Sequence, residues 1–152
     1  MSAPVAALRI RPAALADLAA LAALEAGAFE EPWTAEAIAS YWQGPGAQGW
    51  LAESADGEPV GFALFRVVPE AQEAELLRIA TEPAWRRRQV ASRLLAVALT
   101  TLDRQSIDTF LEVRADNRPA QELYRRLGFE YQNKRRSYYP DGCDAWIYHR
   151  PS

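Results

Sequence analysis

Between Glu73 and Leu102 the sequence changes its hydrophobic period once, and that change does most to limit the fold. EAELLRIAT reads as a strand and EPAWRRRQ as a short basic loop. Beyond the loop, Leu94, Leu95, Ala98, Leu99 and Leu102 recur on one side of a long helix. A strand running through a loop into an amphipathic helix needs a sheet for that helix to cover, hence an α/β arrangement. The loop also carries chemistry. Free N–H groups and the positive dipole end at a helix start attract phosphate, and arginines add forked, charge-assisted bonds. Against that, a run such as Arg86-Arg87-Arg88 is more often a solvated surface. Gln89 stands where a phosphate-cradling turn carries glycine.

The flanking chain supplies the other elements. Leu8–Ile10 reads as a short strand, followed by a helix with Pro12 near its start and Leu15, Leu18, Leu21 and Leu24 on one stripe. EPWTAEAIASYW suggests a second helix capped by Thr34. Gly44–Gly49 reads as a loop, and WLAES and PVGFALFRVV as antiparallel strands joined at Asp56–Gly57. Further on, TFLEVRA is a strand and RPAQELYRRLGF a helix ended by Gly128. EYQNKRRSYY and AWIYHR close the chain as two strands around Pro140–Gly142. With no repeat or linker, residues 1–152 are expected to form one α/β (α+β) domain, order β-α-α-β-β-β-α-β-α-β-β, with a mixed sheet.

Scarce residues exclude whole classes of chemistry. The single cysteine, Cys143, rules out an internal disulfide, and one histidine, His149, argues against a Cys/His zinc site. A Ser–His–Asp triad would have to use that same histidine, three residues from the C-terminus. No metal is therefore expected. Net charge is −3, so broad nucleic-acid binding is not favoured. MSAPVAALRIRP lacks the layout of a signal peptide and no apolar run approaches a membrane span, so a cytoplasmic protein is expected. Carboxylates, tyrosines and backbone amides remain for acid–base work.

Three polar residues after the loop stand out. Glu112 lies within FLEVR, sharing a strand face with Phe110 and Arg114, while Leu111 and Val113 share the other. It reads equally as a general base in a cleft, or as an edge-strand residue or surface partner of Arg114. Tyr124 lies with Ala120, Leu123 and Leu127 on a helical stripe, so a core tyrosine is the plainer reading and a proton donor the sharper one. Asn117, just before that helix, is most simply a cap.

ELLRIATEPAWRRRQVASRLL, LEVRADNRPAQELYRRLGF and RRSYYPDGCDAWIY together resemble the GNAT superfamily of acetyl-CoA-dependent N-acetyltransferases. The similarity is greatest to the RimI-type ribosomal-protein alanine N-acetyltransferases, whose PW[ST] segment EPWT also resembles. This implies a single GNAT-like domain with a mostly antiparallel mixed sheet flanked by helices. It also implies acetyl-CoA as acetyl donor, Glu112 as general base and Tyr124 as general acid. Asn117 would contact the pantetheine arm or position the sulfur, and Ile79, Ala80 and Thr81 would give main-chain contacts to the acetyl and pantetheine groups. Arg86, Arg87, Arg88, Gln89, Val90, Ala91 and Ser92 would form the pyrophosphate loop. The family loop reads [QR]-x-x-G-x-[GA], and only its central glycine is missing here. If that glycine serves a left-handed conformation, Gln89 costs about 1–2 kcal/mol; if it serves close approach, the side chain clashes or swings away. Weakened or reshaped binding is expected rather than loss, because glutamine keeps the N–H donor and the neighbouring arginines add charge.

An α-amine with a pKa of about 7.7–8.0 is mostly protonated at neutral pH and must lose a proton before attacking. Glutamate, ordinarily near about 4.3, is a weak base in water, so burial or a relaying water would assist Glu112. Trp33, Tyr138 and Tyr139 are candidates to wall a groove for a protein N-terminus, or simply to pack. Two alternatives stay open: a small-amine acceptor (polyamine, amino sugar or antibiotic), and a degenerate module acting through protein partners. A monomer or weak homodimer is expected.

Overall fold

The computed structural model describes residues 8–152. Residues 1–7, with most of the stretch read above for a leader, lie outside it. Helices and strands follow in the expected order: β1 Arg9–Ala13, α1 Leu18–Ala28, α2 Ala35–Gln43, β2 Ala47–Glu53, β3 Pro59–Val68, β4 Glu73–Thr81, α3 Val90–Arg104, β5 Asp108–Arg114, α4 Arg118–Arg126, β6 Glu130–Arg135 and β7 Ala145–Arg150. The strands form one seven-stranded sheet, β1-β2-β3-β4-β5-β7-β6. Only β4 and β5 run parallel; the other neighbours are antiparallel.

Helices cover both faces. Under α3 and α4 the core holds Phe65, Leu94, Leu95, Leu99, Leu111, Val113 and Phe129. Under α1 and α2 it holds Leu21, Leu24, Ile38, Leu51, Phe62 and Leu64. Each leucine taken fully from water contributes about 1.5–3 kcal/mol, so the α3 stripe alone anchors that helix. Thr34 caps α2 as its sequence suggested, accepting from Ala37 N–H at 3.0 Å. Gly128, with φ 97°, ends α4 in a Schellman motif closed by Phe129 N–H on Tyr124 O and Gly128 N–H on Arg125 O.

Two readings of the N-terminal half need correction. Pro12 lies in β1 opposite Trp50, not at a helix start. An edge strand tolerates a residue without an N–H. Leu15 consequently falls in a 3-10 turn, fastened by the Arg11–Asp17 fork at 2.8–3.0 Å, and is 48% exposed while Leu21 and Leu24 are buried. Gly49 belongs to β2 rather than to a loop. A Cβ there would come within 2.9 Å of both Leu64 and Trp42, so this glycine serves close packing.

Gly61 in β3 sets how closely α3 approaches. Its Cβ position lies 2.7 Å from Val90 Cγ1 and 3.0 Å from the Ala80 carbonyl oxygen. Gly61→Ala is therefore expected to lower the unfolding free energy by about 1–3 kcal/mol through overpacking. Urea denaturation reads this directly, and an unchanged midpoint would refute the steric argument.

Candidate active site

β4 and β5 pair only through Glu73–Glu75 and Asp108–Phe110. Immediately beyond, the β3–β4 register slips: Leu64 faces Arg78 while Phe65 faces Leu76, leaving Leu77 as an extra residue. Such a bulge bends its strand and increases its twist. β4 and β5 thus part in the middle of the sheet, and a cavity of about 510 Å3 opens between them. Leu76 to Thr81 border it on one side and Leu111 to Arg114 on the other.

Side chains reach the cavity from both faces of the sheet. Leu111 and Val113 belong to the core under α3 and α4, so by strand alternation Glu112 looks to the α1–α2 side. Arg78 stands on that same side, paired across from Leu64 of the α1–α2 core. Tyr124, Ala120 and Leu123 enter from α4 on the opposite face.

β5 lies between β4 and β7 in the sheet, but its ladder with β4 ends at Phe110, so at Glu112 it pairs only with Ile147 of β7 and its other edge faces the cavity. Glu112 does not pair with Arg114. Its Oε1 lies 3.4 Å from Arg135 Nε, with the two side chains 26% and 55% exposed. A bridge to so exposed a partner contributes at most about 1 kcal/mol and leaves the carboxylate free to exchange partners. Tyr124 is buried, and desolvation, then the charge of Tyr139, pushes its phenol up to about 12, so it holds its proton at neutral pH. Tyr139 also lines the cavity, with its phenol raised by burial and then by the charge of Glu112. Asn117 caps α4 through Ala120 N–H at 3.2 Å and borders the cavity too.

At the other end stands the arginine loop. Gln89 is the N-cap of α3 and adopts φ 63°, ψ 24°, the left-handed region in which glycine carries no Cβ penalty. Arg87 is also left-handed, at φ 65°. The amides of Val90, Ala91 and Ser92 are those an α-helix leaves without intrahelical partners. Arg93 N–H makes the first helical bond, to Gln89 O, at 3.0 Å. Arg86, Arg87, Arg88 and Arg93 crowd this positive helix end, and its first turn has no acidic residue. Such a concentration of like charge suits an anion.

Ile79, Ala80, Thr81, Ala91, Glu112, Asn117, Tyr124 and Tyr139 are thus gathered around one cavity. Arg86 to Val90 and Ser92 flank Ala91 outside its wall, with Arg88 over the Trp85 ring at 4.9 Å and the Val90 side chain buried in the core. Trp33 and Tyr138 also stand outside: Trp33 packs against the α1–α2 core, and Tyr138 is 48% exposed. Several residues escaped sequence reasoning, among them Phe29 and Arg78 on the cavity wall. Gln121, buried on the Asn117–Tyr124 stripe, donates to the Arg114 and Ala115 carbonyls at 3.0 Å and ties α4 to the end of β5. Arg114 binds Asp116 and Asp141 and lies 4.7 Å from the Tyr139 ring. The available signal for Gln121 was its helical spacing, four residues after Asn117 and three before Tyr124; Arg114 had none beyond its strand face.

A split sheet with an anion-suited helix start beside it defines a class, and the chain belongs to the acetyltransferase (GNAT) family, whose profile matches residues 18–129. It is an N-acetyltransferase of the GNAT type, and enzymes of this fold use acetyl-CoA. Among particular proteins, it is 35% identical over 125 residues to the [ribosomal protein bS18]-alanine N-acetyltransferase of Escherichia coli (strain K12), covering 82% of each chain. The crystal structure of the ribosomal-protein-S18-alanine N-acetyltransferase from Escherichia coli superposes with a TM-score of 0.87 at 34% identity, covering 95% of this chain and 93% of that one. Ard1 from Thermoplasma volcanium is similar at a TM-score of 0.81 and 26% identity, covering 95% and 97%. Among the described residues, no helix is long and apolar enough to cross a membrane, and no group of three or more His, Cys, Asp or Glu residues is arranged to hold a metal.

The strain at Gln89 is built into the folded chain. Gln89→Gly should relieve about 1–2 kcal/mol of left-handed strain and lose about 0.4–1 kcal/mol to unfolded-state entropy. The expected net is a stabilisation of about 0.5–1 kcal/mol, with acetyl-CoA affinity altered less than about tenfold. Denaturation and calorimetry on the two proteins measure both quantities; a destabilised glycine variant would contradict the strain assignment.

Proposed function

We infer that this chain acetylates the N-terminal α-amine of a protein, of the ribosomal-protein alanine type, with Glu112 as general base and Tyr124 as general acid. The opening between β4 and β5 is the observation that carries this reading, because it brings a carboxylate from one sheet face and a protonated phenol from the other to a single cavity. The likeness to bS18-alanine acetyltransferases supports the acceptor class.

The donor set suits acetyl-CoA. The main chain of Val90, Ala91 and Ser92, with Arg86, Arg87 and Gln89, would hold the pyrophosphate. Ile79 to Thr81 offer a strand edge to the amide-bearing pantetheine arm. When bound, this group supplies a thioester-activated acetyl. Glu112 then takes a proton from the ammonium of the acceptor, directly or through water. Main-chain N–H groups around Ile79 face the carbonyl oxygen as it gains charge. The freed amine would bond to the acetyl carbon as the C–S bond breaks. Tyr124, holding its proton at neutral pH, would give it to the departing sulfur, and the second proton shed by the amine nitrogen would restore the phenol. Asn117 fixes the start of the helix that carries Tyr124. No enzyme nucleophile is needed.

Glu112→Gln should lower turnover about a hundredfold or more, in the usual range for losing a general base, with acetyl-CoA affinity within about twofold. Tyr124→Phe should do likewise. Steady-state kinetics beside calorimetry test both, and full turnover in both variants would remove the mechanism. In a panel of N-terminal peptides run beside polyamines and amino sugars, alanine-initiated ribosomal-type peptides should give the highest kcat/KM. Preference for the small amines would replace the acceptor assignment.

A further inference from the structure

One buried ion pair beside the cavity has no part in the proton transfers. Glu25, in the last turn of α1, is 0% exposed. Arg78 Nε donates to its Oε1 at 2.8 Å and Arg78 Nη2 to its Oε2 at 2.6 Å, forming a fork across 53 residues of sequence. The Trp33 main-chain N–H donates to Oε2 at 2.8 Å. The Arg78 guanidinium also lies 4.0 Å from the Phe29 ring centroid and 5.0 Å from that of Trp33. Arg78 and Phe29 themselves line the cavity, on the face from which Glu112 reaches it.

Phe29 to Thr34 join α1 to α2 without regular structure. Such a segment has few ladder bonds of its own and is fixed only by what it touches. Here both ends are held by one guanidinium–carboxylate unit: Phe29 through its ring, Trp33 through its ring and its N–H. The unit has a second consequence. An unpaired arginine at the wall would repel an incoming ammonium, and Glu25 cancels that charge within a hydrogen bond's length. A planar fork does both jobs where a lysine point charge would not.

We propose that Glu25 and Arg78 are positioning residues for the acceptor: the pair fixes Phe29–Thr34 as one wall of the acceptor entrance and keeps that wall electrically neutral. The inference rests on the amine approaching from the α1–α2 face, as in the function proposed above. It predicts an effect on acceptor binding with little on acetyl-CoA binding or the chemical step.

The test compares two variants with the parent by hydrogen exchange over residues 29–34, acetyl-CoA calorimetry and steady-state kinetics with an alanine-initiated peptide. In the double variant Glu25→Gln with Arg78→Met, both charges go together, the amide oxygen still accepts from Trp33 N–H, and the thioether still packs on the rings. It should fold, exchange residues 29–34 at least about tenfold faster and raise acceptor KM about tenfold, with kcat and acetyl-CoA Kd within about twofold. Glu25→Gln alone should raise acceptor KM further, and added salt should reduce that excess by screening the uncompensated Arg78. Unchanged exchange over 29–34 in the folded double variant, or an unchanged acceptor KM, overturns the proposal. If the parent protein turns over no amine, the functional reading fails on its own, and the exchange result still decides whether the pair holds the segment.

Discussion

A parallel ladder between β4 and β5 that stops after three residue pairs is the constraint on which the centre of this protein depends. The extra residue at Leu77 turns β4 away from its neighbour and leaves main-chain polar groups along Leu76–Thr81 facing an opening instead of a strand. Such groups inside a sheet require partners. An extended, amide-bearing ligand can supply them, so the same irregularity that interrupts the sheet creates a slot suited to the pantetheine arm. Covering helices on both faces keep the sheet whole around the opening, and Gly61 lets α3 sit close enough for its N-terminus to reach one end of it.

Charge is distributed unevenly along that slot. The start of α3 gathers Arg86, Arg87, Arg88 and Arg93 around a helix dipole of the same sign, with Gln89 and Arg87 in left-handed conformations that favour glycine. Both features oppose local stability, and strained backbone persists only where surrounding structure over-determines it. The well-packed α3, with Leu94, Leu95, Ala98 and Leu99 fully or almost fully buried, supplies that support. Gln89 is therefore held in a left-handed backbone at the start of α3, and that strain is a cost to folding.

What the sequence made legible was whatever repeats locally. EAELLRIAT was read as a strand and is β4 to the residue, and the leucine stripe marked the buried side of α3. Glu112 stood out as a carboxylate within an apolar strand, while Asn117 and Tyr124 read alone as a cap and a core tyrosine and gained their roles from the family resemblance; the cavity gathers all three. Pro12 misled because proline is common both at helix starts and on edge strands, and only the sheet order reveals which applies. The Glu25–Arg78 fork and the Arg114–Asp141 bridge were illegible for another reason. Their partners lie 53 and 27 residues apart, and each side chain alone resembles ordinary surface charge.

Those two bridges lead to a division of labour across the sheet. On the α3–α4 side the slot is bordered by residues packed in the core, Leu111, Val113, Ala120, Leu123 and the buried Tyr124, and such fixed surroundings suit one invariant ligand. On the α1–α2 side it is built from side chains on irregular segments: Phe29 beside the Arg78–Glu25 fork, and Tyr139 beside Arg114, which is bridged to Asp116 and Asp141. Irregular segments change sequence and length more readily than strands do. An arginine fork can hold such a segment rigid without fixing the residues at its tip. In the function proposed here, the acetyl donor thus meets the part of the fold that the split sheet dictates. On the same proposal, the acceptor would meet the part that substitution can remodel while Glu112, carried on β5 and held by its ladder with β7, stays where it is.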